Sequence, residues 1–177
     1  MKALQEHIPT ALHWRSFELR PAGSPPISPE YMARIEASRP RFAAMMWEAY
    51  GIEINPGEFG IISRPALIAA RFADAQGKGD AFHDAMFRAY WVEARNIADL
   101  HVIRAVAEQV GLDGEAALAS ITQPDYIERV DADIMQAYQY GLSAVPAIVF
   151  EQKYLVMGAQ PVQVLLQVAQ RILSERA

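Results

Sequence analysis

Residues 141–158, GLSAVPAIVFEQKYLVMG, constrain the fold more than any other part of this sequence. Ala147-Ile148-Val149-Phe150 is an unbroken apolar run, the pattern of a strand covered on both faces. Glu151-Gln152-Lys153 is a short polar turn. Tyr154-Leu155-Val156-Met157 is a second run with β-branched and aromatic side chains. Together they predict a β-hairpin. Pro146 has no N–H to give to a ladder, so it must start the first strand or face a gap at its edge. Gly141 closes a helix before the hairpin, and Pro161 opens one after it.

The rest of the chain is mostly helical in pattern. Residues 2–8 read as the last turns of a helix with Leu4 and Ile8 on one face, ended by Pro9. Residues 11–19, ALHWRSFEL, predict a strand with Leu12 and Trp14 on one face and His13 and Arg15 on the other. The alternation shifts near Ser16, because Phe17 and Leu19 also read as buried, so a bulge or the strand's end is expected there. Residues 20–29 are rich in Pro, Gly and Ser and read as a loop. Ser28 then caps a helix to about Ala37, and Ser38 caps a second to Tyr50, stopped by Gly51. Ser63, Asp80, Asp99 and Asp113 are placed to cap four further helices, and Pro124 begins a longer one closed by Gly141. Strands at both ends of a helical block predict a small α/β sheet carrying a helical insertion. The expected division is a split core, residues 1–27 and 122–177, around a helical insertion of residues 28–121.

Composition narrows the function. The 177 residues contain no cysteine, which removes disulfides, thiol nucleophiles and cysteine-type zinc sites from the chain. The net charge is −5, with Lys and Arg scattered, which argues against a nucleic-acid surface. No apolar stretch is long enough to span a membrane, and MKALQEHIPT lacks the apolar core of a signal peptide. A cytoplasmic protein is the expectation. His7, His13, His83 and His101 show no metal-ligand spacing. His83 and Asp84 are helix neighbours expected on a solvated face, and Phe82, Phe87, Tyr90 and Trp91 are expected in the core. No catalytic triad order, phosphate loop or paired-carboxylate motif stands out.

Five stretches carry a resemblance: HWRSFELRP (13–21), FHDAMFRAYWVEARNIAD (82–99), AEQVGLD (107–113), GLSAVPAIVF (141–150) and YLVMGAQP (154–161). In that order they resemble the DsbA-like thioredoxin-fold oxidoreductases, in particular the FrnE-like branch. They are also similar to the neighbouring group of 2-hydroxychromene-2-carboxylate isomerases and kappa-class glutathione transferases. The resemblance implies an α/β, thioredoxin-like (DsbA-type) sheet with a large helical insertion and a cis peptide at Val145-Pro146. It implies thiol–disulfide exchange as the family chemistry, in which a thiolate attacks a substrate disulfide. The match begins inside the family's first helix, with MKALQEHI aligning to its last turns. The fold is therefore expected to be N-terminally incomplete, without the family's first strand and C-x-x-C, and redox-inactive as it stands. Gln152 also stands where the family often has Gly.

The resemblance further implies a substrate-binding set: Ala144, Val145 and Pro146 beside an extended peptide or glutathione, and Gly158, Ala159 and Gln160 at a helix start that attracts a carboxylate. Simple helix capping explains the second group equally well. No cofactor is implied, with glutathione as the possible exception. Three readings stay open: a DsbA-type protein, a glutathione-dependent isomerase or transferase, and a non-catalytic peptide-binding or dimerisation module. A homodimer is expected, with the partner covering the gap left in the sheet or the broken end of the first helix, because that gap should expose Trp14 and Ile148.

Overall fold

The computed structural model describes residues 1–176. Its elements run α1 (Lys2–Gln5), α2 (Pro29–Tyr50), α3 (Arg64–Ala75), α4 (Gly79–Trp91), α5 (Leu100–Gln109), α6 (Gly114–Ser120), α7 (Pro124–Gln139), β1 (Ala147–Phe150), β2 (Tyr154–Met157) and α8 (Val162–Arg176). Local chemistry explains most of the boundaries. Ser28, Asp99 and Asp113 each accept a backbone N–H from the first turn of the helix they precede. Gly51 sits in the left-handed region at φ 66° and returns its N–H to the Trp47 carbonyl, which ends α2. Two expected caps differ. Ser63 holds the N-cap position of α3 without a side-chain bond. Asp80 lies inside the first turn of α4, whose N-cap is Lys78.

Two apolar clusters result. The larger is built by α3, α4, α5 and α6 around Phe72, Phe82, Ile103 and Val106. The smaller joins α1, the hairpin and α8 through Leu4, Phe150, Leu165, Ala169 and Ile172, with Met1, Ile8 and Ile148 against them. β1 and β2 pair antiparallel in the register Ala147↔Met157 to Phe150↔Tyr154. Glu175, near the end of α8, ties down the hairpin turn. It accepts from the Tyr154 hydroxyl (2.5 Å) and lies 3.1 Å from Lys153 Nζ. With Arg171 also bonded to it, its carboxyl is held at about 2, and the tie survives down to strongly acid pH.

Three expectations are corrected. Residues 11–19 are not a strand: the sheet has two strands among the described residues, and this segment joins neither. Nor is Leu19 buried, at 64% exposed; Phe17 is half-buried like Leu12 and Trp14, and Ser16 and Glu18 are the buried members. The period is that of a strand, but a strand also needs a neighbouring backbone, and here side chains take that place. The third correction concerns residues 29–50. They form one helix with Pro40 inside it, and the Ser38 hydroxyl donates to the Ile35 carbonyl within the helix instead of capping a new one. A proline at that position leaves the Glu36 carbonyl without its usual donor, at a cost of roughly 3 kcal/mol. Contacts along one side hold the helix through it, including Phe42 against the Trp91 ring at 5.7 Å.

Trp14 and Ile148 were expected to be bare, yet both are half-buried. Ile148 packs into the smaller cluster. Trp14 stacks on His83 with ring centroids 3.6 Å apart and donates its Nε1–H to Asp80 at 2.9 Å. His83 is thus no solvated residue. Burial pushes its imidazole pKa below the ordinary value, Asp84 and Asp80 pull the other way, and Arg71 adds to the lowering.

Candidate functional site

The hairpin brings the six expected site residues to one end of the sheet. The Gly158 N–H donates to the Pro146 carbonyl at 2.8 Å, one step beyond the last register pair. That bond places Ala144, Val145 and Pro146 beside Gly158, Ala159 and Gln160. Gly158 turns at φ 77°, which only glycine adopts without strain. Five of the six are exposed and Gly158 is half-buried. The Gln160 amide is turned back onto the Met157 carbonyl at 2.9 Å, and α8 begins two residues later.

The Val145-Pro146 peptide is cis. In an antiparallel ladder both backbone groups of a residue point to the same neighbour, and successive residues alternate sides. Because Pro146 bonds towards β2, the N–H and C=O groups of Ala147 and Val149 point to the opposite edge. Among the described residues no backbone group pairs with them there. Val145 is itself 47% exposed. The site is therefore an open strand edge ending in an accessible loop, able to hydrogen-bond an extended chain.

A second polar assembly was not read from the sequence. Asp133, on α7 and 6% exposed, accepts the Ser16 N–H at 2.9 Å and Arg15 Nη1 at 3.2 Å. Arg71 of α3 lies 3.4 Å from the same carboxylate, bonds Asp74, and donates to the Trp14 carbonyl at 2.9 Å. Arg64 bridges Glu18 and Asp131. These ion pairs hold residues 14–18 against α3 and α7 where a sheet neighbour would have done so. Ser16 Oγ, Glu18 Oε1 and Arg71 Nε are buried without a partner among the described residues. The available signal was a single arginine within the apolar run LIAARFADA, with Ser16 and Glu18 at strand spacing.

Comparison with known proteins follows the same geometry. A sequence model of the DSBA-like thioredoxin domain matches residues 1–170. The chain belongs to the DSBA-like thioredoxin domain family. Within reach of this family it is 28% identical over 144 residues to the uncharacterized protein YwbO of Bacillus subtilis strain 168, covering 78% of this chain and 70% of that one. Its fold is similar to that of a probable DsbA oxidoreductase, SCO1869, from Streptomyces coelicolor, with a TM-score of 0.77 and 26% identity over 92% of this chain and 75% of that one. It is similar in fold also to a 2-hydroxychromene-2-carboxylate isomerase, with a TM-score of 0.70 and 19% identity over 87% of this chain and 75% of that one. The thioredoxin-like fold of this DSBA-like chain is helix-rich, with its sheet reduced to the hairpin. No helix among the described residues is long and apolar enough to cross a membrane.

Proposed function

We propose that this DSBA-like chain, of the FrnE-like branch, binds an extended peptide or a thiol substrate such as glutathione along the open edge of β1. The observation that carries the reading is the set of outward backbone groups on Ala147 and Val149, unpaired by backbone among the described residues and continuing into the exposed loop at Val145. A bound chain would add a short strand there, its main chain supplying affinity. The turn through Gly158, Ala159 and Gln160 lies beside this edge and would receive a carboxylate of the ligand. The family's thiol–disulfide exchange needs a thiolate, and the 177 residues hold none. The proposed role of this polypeptide is recognition, without exchange through its own side chains.

Two measurements test this. In a dithiothreitol-driven insulin reduction assay the pure protein is expected to leave the blank rate unchanged. Turnover above the blank would show chemistry that the reading lacks. Binding is measured by amide NMR with two probes, glutathione and a ten-residue unstructured peptide. The amides of Val145, Ala147 and Val149 are expected to shift. Ala147→Pro removes one outward N–H and none that faces β2, and is expected to weaken binding about tenfold, the worth of one hydrogen bond. Shifts with glutathione alone would move the reading to a glutathione-dependent isomerase or transferase. No shift at these amides with either probe at millimolar concentration would end it.

A further inference from the structure

We infer that α2 is a self-association surface, pairing antiparallel with α2 of a second copy of this chain. The helix is 22 residues long and none of them is buried. Its half-buried side faces the body of the chain through Phe42 and Arg39. The opposite side carries Ala33, Ala37, Pro40, Ala44 and Trp47, all exposed, at spacings of four, three, four and three residues. That is the apolar seam of a two-helix coil, in which small residues let the backbones approach closely. Trp47 is 61% exposed, and it borders a groove of about 500 Å³ that also touches Ile54. A bare tryptophan beside a groove is the residue type most often found at the centre of an interface.

The charges beside the seam choose the occupant. Arg34, Arg41 and Glu48 line one flank, all exposed, and none has an opposite charge within ion-pair distance among the described residues. Arg34 only overlies the Tyr31 ring, at 5.6 Å. An antiparallel two-fold that sets Pro40 against the partner's Ala44 brings residues of this flank face to face. Arg34 then meets Glu48 of the second copy, and the pair occurs twice. Trp47 meets the small Ala37 in the same register. Arg41 meets its own symmetry mate, the one like-charge contact, which keeps the association moderate. A parallel pair would instead face this flank with the other flank of the second copy, setting Arg41 against Glu36 and leaving Arg34 and Glu48 without opposite charges, so the Arg34–Glu48 pair reports the antiparallel orientation.

Light scattering coupled to size exclusion measures the association, with the full chain at about 1–100 µM, the range of moderate complexes. The wild type is expected to dimerise. Trp47→Glu is expected to weaken the dimer about 30-fold or more, with the melting temperature of the dilute monomer unchanged because Trp47 is exposed there. Arg34→Glu and Glu48→Arg are each expected to weaken it, and the double exchange to restore it. Arg41→Gln is expected to tighten it. A monodisperse monomer throughout, or a dimer indifferent to Trp47→Glu and to the charge exchange, would overturn the inference. The second outcome would point to the open edge of the hairpin as the contact.

Discussion

Asp133→Ala is expected to lower the unfolding free energy by about 3–5 kcal/mol, the usual result of stripping one partner from a buried ion pair. The carboxylate accepts from the Ser16 N–H and Arg15 and forms an ion pair with Arg71 at 3.4 Å. Arg15 is 62% exposed and can turn to water, so its loss costs little. Arg71 cannot, since its side chain is 9% exposed and its Nε already lacks a partner, and it would be left with only Asp74 and the Trp14 carbonyl. The Ser16 N–H, equally enclosed, would be left unpaired. Urea unfolding measures the effect. Asp133→Asn keeps an acceptor for Ser16 and should lose less. Replacing both charges, Arg71→Met with Asp133→Leu, should recover part of the loss, because it removes the enclosed pair together while the Ser16 N–H still lacks its acceptor. A loss under about 1 kcal/mol for Asp133→Ala would show that water reaches this cluster freely.

Phe82→Ala is expected to cost about 3–5 kcal/mol, and Phe87→Ala, farther along the same helix on another face, about 1 kcal/mol or less. Phe82 is 1% exposed inside the larger cluster, so truncation leaves a cavity that α3 and α5 cannot close. Phe87 is 54% exposed and loses only its contact with the His83 ring at 4.4 Å. Chemical denaturation of the two variants at low temperature compares them directly, since either large loss is a sizeable share of a typical domain's 5–15 kcal/mol. Equal losses for the two would mean that α4 is packed on both sides.

The hairpin was legible because its signals are local. Residues 141–158 carry their own strand pattern, turn and punctuation, whereas the six candidate residues at its end rest on the family resemblance and not on local pattern. The polar assembly was not legible, because Arg71, Asp133 and Ser16 are distant in sequence and each alone has an ordinary surface reading. The same holds for His83, whose stacking partner Trp14 lies 69 positions earlier by their numbers. Only docking of residues 14–18 onto α3, α4 and α7 brings these groups together.

By itself the sequence determined what depends on near neighbours: helix starts at Ser28, Asp99 and Asp113, stops at glycines, the hairpin, and the absence of any sulfur nucleophile among 177 residues. Short-range hydrogen bonds and backbone preferences act over a few residues, so composition and spacing report them faithfully. Tertiary structure decided whether strand-patterned residues become a strand. Residues 11–19 have the period, but pairing requires a second backbone at hydrogen-bonding distance, and their inward side chains met α3 and α7 instead. It decided likewise that α2 runs unbroken through Pro40 and that its alanine and tryptophan seam faces outward. A pattern specifies which side of an element is apolar. Only the assembled chain specifies what, if anything, that side is packed against.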